Sequence, residues 1–215
     1  MSAAPHDALI EMLATGLRPV RRLSPPALRA LVWLGLVALI AIALAAVADL
    51  DRLERRLAAA PDLWLAVLGS TLTTVGAALA AFEMSMPDRK PTWAMLPLPP
   101  LLLWIGASGL GCLRGSMVPG THIAPLHEAS DCLLFILGVS VPLGGALFLL
   151  LRRGFVLRPG LTAAIGGLAV AAAAATLLNF FHPFEVAATD LALHAVAITL
   201  IIGVSRLAVG RALPR

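Results

Sequence analysis

Six apolar stretches dominate this 215-residue chain, over residues 28–48, 62–82, 94–112, 131–151, 160–181 and 186–207. A hydrocarbon core about 30 Å thick takes about 20 helical residues to cross, the length of each stretch. Inside lipid the backbone must satisfy its own hydrogen bonds, so each crossing has to be a helix. The sequence therefore predicts an all-α, polytopic membrane protein with six transmembrane helices. Three parts follow: an N-terminal segment at 1–27, a six-helix domain at 28–208 and a tail at 209–215. Sixty per cent of the residues are hydrophobic and 13% are charged, against about a quarter charged in a soluble domain. No room remains for a second globular domain.

The formal charge of +4 reflects arginines at the membrane surface rather than a nucleic-acid surface. If all six segments span, one side collects Arg18, Arg21, Arg22, Arg29, Arg89, Lys90, Arg152, Arg153, Arg158, Arg206, Arg211 and Arg215. The other side receives only Arg52, Arg55, Arg56 and Arg114. The positive-inside rule then places both termini in the cytoplasm, and the expected location is a bacterial inner membrane. Arg21-Arg22, the first apolar run and Ala45-Ala46-Val47-Ala48-Asp49 resemble an export signal. The run is longer than a signal's apolar region, and five more spans follow, so it is read as the first span.

Within 1–27, Leu9, Ile10, Leu13 and Leu17 recur at helical spacing, and Pro19 ends the pattern. This predicts a short amphipathic helix joined to the first span by the basic strip Arg18, Arg21 and Arg22. Such a helix either lies on anionic lipid or docks on a protein. Ser24-Pro25-Pro26 reads as the N-cap and first turn of the first span. In the fifth span Ala163, Gly167, Ala171 and Ala175 form a small-residue ridge, read as internal packing.

Cys112, Cys132, His122, His127, His182 and His194 are all predicted at the outward side. Thiols and imidazoles together suit soft and borderline metals, or a disulfide in an oxidising compartment. No CxxC or HxxxH spacing is present, so no particular metal is indicated. The two cysteines could equally bridge the 113–131 loop or pack as small hydrophobes. Asp190 and His194 share a helix face inside an apolar span, where ionisable groups are costly; they serve either each other or a site. Serine-protease, haem and phosphate-loop signatures are missing, and the chain is expected not to be an enzyme.

The stretch Asp7-x-Leu9-Ile10-x-x-Leu13-Ala14-x-x-Leu17-Arg18-Pro19-Val20-Arg21-Arg22-Leu23 resembles the start of the NrsF-type bacterial membrane anti-sigma factors. The resemblance continues through Cys132-Leu133, Pro142, Arg152-Arg153 and Gly166-Gly167-Leu168. It ends at His182-Pro183, Asp190-Leu191 and His194. It implies an inner-membrane anti-sigma factor whose cytoplasmic N-terminus holds an extracytoplasmic-function sigma factor. The partner-binding residues would be Leu9, Ile10, Leu13, Leu17, Arg18, Arg21 and Arg22. The sensing residues would be Cys112, Cys132, His182, Asp190 and His194, answering a metal or oxidative signal. Cys132 matches the family's first sensing cysteine by its Cys-Leu context. The second family cysteine falls where this chain has His182. That departure implies mixed ligation by Cys132, His182 and His194, or a rewired pair with Cys112. No resident cofactor is implied beyond transient heavy-metal binding, and no nucleic acid is bound directly. The alternative reading is a small metal or solute permease. A permease needs a polar path, and only Ser70, Thr71, Thr73 and Thr74 offer polar groups in mid-span.

Overall fold

The computed structural model describes residues 4–15, 17, 23–59, 61–117, 126–154, 156–181, 196 and 198–207, and of residues 4, 5, 59, 111–117 and 126–132 the backbone alone. All regular structure among these residues is helical: α1 (Ala4–Thr15), α2 (Pro26–Ala45), α3 (Leu50–Ala59), α4 (Pro61–Glu83), a 3-10 turn (Pro91–Met95), α5 (Leu98–Met117), α6 (Leu126–Leu151), α7 (Pro159–Leu178) and α8 (Ile198–Leu207). Five segments are long and apolar enough to cross a membrane: Pro26–Ala45, Pro61–Glu83, Pro91–Leu110, Leu133–Leu151 and Pro159–Leu178. The sixth expected span is described only at residue 196 and over α8.

Proline sets several starts. Pro26, Pro61 and Pro159 each open a helix, where the missing N–H costs nothing and φ is already helical. Pro25, not Ser24, occupies the cap position of α2, and no side chain caps that end. Helix α6 begins at Leu126 rather than 131 and so includes His127, which the sequence placed in a loop.

The 49–60 stretch holds a helix that the spans alone did not predict. Asp49 Oδ1 accepts the Arg52 N–H at 2.9 Å and caps α3. Leu50, Leu53 and Leu57 follow one face, while Asp51, Arg52, Glu54 and Arg55 fill the rest. A charged, short helix has no span signature, yet cap and period were both present in the sequence.

Helices α2, α4, α7 and α6 pack around one core, with α5 outside on α4 and α8 against α7. Helix α7 is buried on all sides from Thr162 to Leu178 apart from Ala164 and Thr176. Its alanines make that position available: lipid supplies no hydrophobic drive between spans, so close packing must hold them. All four residues of the Ala163 ridge are buried, and a Cβ on Gly167 would meet Ile202 Cα of α8 at 2.9 Å. A Cβ on Gly69 would meet the Trp104 backbone N at 2.7 Å, which fixes the α4–α5 approach. Near the end of α7, the Thr176 hydroxyl donates to Ser70 Oγ at 2.8 Å and ties α7 to α4.

Candidate functional site

Helix direction places the start of α2, the ends of α4 and α6, and the start of α7 at one end of the bundle. Its basic character follows from the sequence, because the turns there carry Arg89, Lys90, Arg152, Arg153 and Arg158, all exposed. Arg206 joins them, its guanidinium 3.8 Å from where a Gly160 Cβ would lie.

Arg29 differs from these: it is 5% exposed. It sits one turn into α2, and its side chain crosses to two other helices. Nη1 donates to Ser85 Oγ at 3.2 Å, just past α4. Nη2 donates to the Leu150 carbonyl in the last turn of α6. That carbonyl needs a donor. Arg152 N–H turns to Phe148 O and Gly154 N–H to Leu151 O, so the helix end leaves Leu150 O outside its own ladder. Helix C-termini carry partial negative charge, so one guanidinium satisfies the ends of α4 and α6 together. Ser85 passes the chain onward by donating to Phe82 O at 2.6 Å. Gly154 closes the cluster: a Cβ there would lie 3.0 Å from Ser85 O. One turn deeper, Trp33 Nε1–H donates to the buried Leu143 carbonyl at 2.9 Å, a second tie from α2 to α6.

At the rim, Arg89 Nε lies 3.0 Å from Glu83 Oε2. That oxygen is shielded from solvent and lacks hydrogen-bond geometry, so the pair is held by charge alone. The sequence counted Arg29 only as a topology signal. Its spacing of four from Trp33, both inside an apolar run, was the pattern that could have marked it.

Helix α1 covers Ala4–Thr15, so of the expected stripe Leu9, Ile10 and Leu13 lie on it and Leu17 lies beyond its end. Leu9, Ile10, Leu13 and Leu17 are exposed by 48%, 62%, 61% and 78%, and every described side chain from His6 to Thr15 is exposed. The stripe is therefore unoccupied by the chain's own core. Arg18, Arg21 and Arg22 lie outside the described residues.

The expected sensing set is placed only in part. The backbone of Cys112 lies within α5 and that of Cys132 in the second turn of α6. Their side chains, together with His182, Asp190 and His194, lie outside what is described. Among the described residues no three His, Cys, Asp or Glu side chains come together.

The hydroxyls that a permease would use are turned to their own helix. Ser70 and Thr71 both donate to Val67 O, at 3.0 and 2.8 Å. Thr73 donates to Gly69 O at 2.7 Å and Thr74 to Ser70 O at 2.9 Å. They bond within α4, apart from the Thr176 hydroxyl that Ser70 accepts from α7, and lend a polar path no support.

The described residues form a helical bundle with five segments long and apolar enough to cross a membrane, a basic end, and the exposed helix α1 ahead of it in the chain. A family model described as NrsF, negative regulator of sigma F, matches residues 13–214. The chain belongs to that family. The family's role is negative regulation of a sigma factor, which makes a sigma factor its partner. No curated protein and no solved structure matches the chain.

Proposed function

We propose that this protein is an anti-sigma factor of the bacterial inner membrane. It holds an extracytoplasmic-function sigma factor at its cytoplasmic side and releases it when a metal or oxidant acts outside. The observation that carries the reading is the exposed stripe Leu9, Ile10, Leu13 and Leu17 on a chain of a sigma-regulating family. Amphipathic helices fill apolar grooves on partners in this way. Arg18, Arg21 and Arg22 follow the stripe and add charge next to it. Arg89, Lys90, Arg152 and Arg153 supply further cationic surface at the same end.

On the outward side, Cys132, His182 and His194 are the proposed metal ligands, with Cys112 and Asp190 contributing to sensing. Thiolate and imidazole suit a soft or borderline ion. Helix α6 carries Cys132 near one end and the Leu150 carbonyl at the other. A shift of α6 thus reaches the Arg29 cluster along one continuous helix, with Pro142 midway between the two. This coupling is an argument from packing.

The test replaces Leu13 and Leu17 by Asp in the full chain. The sigma factor is expected to be freed and its regulon raised, with the protein still in the membrane. Undiminished co-purification of the sigma factor with the variant refutes the docking role. Loss of α1 from lipid with the partner retained assigns the stripe to the membrane surface instead.

A further inference from the structure

We propose that the end opposite the basic one carries a binding site for a phosphate-type oxyanion with a short carbon body. It lies in the cleft between the α2–α3 corner and the end of α7. The inference rests on none of the sigma-factor reading.

The cleft holds about 180 Å³. Sites for drug-sized ligands run to roughly 300–1,000 Å³, while a water takes about 30 Å³. The space therefore suits one headgroup-sized anion. Arg52 and Arg56 line it from α3, one turn apart. Like charges at that spacing destabilise a helix, and an anion between them reverses the sign of the interaction.

Asp49 also lines the cleft, but its carboxylate is engaged. Oδ1 caps α3 through the Arg52 N–H at 2.9 Å, and Oδ2 lies 3.6 Å from Arg52 Nε. Arg56 lines the cleft beside Arg52 without sharing the Asp49 carboxylate. It is half-buried, and burial first, then the neighbouring Arg52, lower its pKa from the usual arginine value. Guanidinium groups bind phosphate through paired, charge-assisted hydrogen bonds.

The remaining wall is apolar. Phe180, Phe181 and Val47 face the arginines, and Phe181 is steadied by the Phe135 ring at 5.8 Å between centroids. A phosphodiester headgroup of an anionic phospholipid and a free phosphate share the chemistry the arginines recognise. The apolar wall adds a place for the carbon atoms of the former.

The test uses the full chain in two arms. In one, inorganic phosphate is titrated calorimetrically into delipidated protein in detergent. In the other, protein from nanodiscs of phosphatidylglycerol or phosphatidylcholine is scored for retained lipid by native mass spectrometry. Binding of phosphate itself identifies a free anion as ligand. Selective retention of phosphatidylglycerol without phosphate binding identifies the lipid headgroup; either result supports the site. Arg56→Gln is expected to weaken the positive arm about tenfold or more, the scale of a lost charged hydrogen bond. Arg52→Gln, at a largely exposed side chain, is expected to weaken it as well. Arg55→Gln removes an equal charge from outside the cleft and is expected to leave binding as in the parent. Failure of both arms in the parent overturns the proposal. So does parental binding in Arg56→Gln or Arg52→Gln, or an equal loss in Arg55→Gln.

Discussion

The Arg29 guanidinium carbon lies 5.2 Å from the centroid of the Phe82 ring, so the first span rests its charge on an aromatic face of the second. A cation one turn from its own helix N-terminus faces an unfavourable dipole. Here the side chain crosses to the C-terminal ends of α4 and α6, where the sign is reversed. Three helix ends are joined by one residue.

Arg29→Met keeps the apolar stem and removes the donors. The Leu150 carbonyl and Ser85 then lose a charged partner, at a cost of about 2–3 kcal/mol. Thermal unfolding of the purified protein in detergent is expected to shift downward. Arg29→Lys is expected to fall between, since one ammonium replaces a fork. Parental stability in Arg29→Met would show that the basic end is held together without this residue.

The Gly69 crossing predicts a contrast between two glycines. A Cβ at Gly69 strikes the backbone of Trp104, which is unable to swing aside as a side chain does. Gly69→Ala is expected to cost about 1–3 kcal/mol. Gly35→Ala meets nothing within 4 Å and is expected to be neutral or to stabilise by about 0.5–1 kcal/mol. Melting of the two variants followed by circular dichroism checks the sign of each.

The Ser70–Thr176 link is a minor contributor by comparison. Interhelical hydrogen bonds in membrane proteins average about 0.6 kcal/mol. Thr176→Val, close in shape, is expected to lose no more than about 1 kcal/mol. A loss as large as that of Gly69→Ala would show that polar ties outweigh close packing in this bundle.

Topology is expected to place both termini in the cytoplasm, from the twelve-to-four division of Lys and Arg between the sides. Reporter fusions after residues 56, 90, 122, 155, 184 and 215 are expected to alternate out and in. A periplasmic signal from the last fusion would reverse the assignment of partner and signal to their sides.

Cys132→Ser is expected to abolish induction by metal or oxidant while repression persists without them. An unchanged response would make Cys132 structural. Replacing His182 then separates mechanisms: loss of induction supports mixed ligation, and a parental response supports a Cys112–Cys132 thiol switch.

The class of fold was legible because span length and the need for internal backbone hydrogen bonds are local properties. The spacing of Leu9, Ile10 and Leu13 was likewise legible as helical, while Leu17 falls past the end of α1 at Thr15. The α7 ridge was readable for a similar reason: small residues at fixed spacing announce close approach, although not which helix approaches.

Helix α3 escaped because a ten-residue charged segment carries no span signal and is recognised only by its cap and short period. The roles of Arg29 and Ser85 escaped for a deeper reason. Their partners lie 56 and 121 residues from Arg29 along the chain, and a carbonyl left over at a helix end is invisible in the side-chain code. By itself the sequence determined that this chain is a set of membrane-length helices with arginines in the turns between them. Only the tertiary structure decided which arginine turns inward, because burying a guanidinium depends on helix ends that meet only after packing.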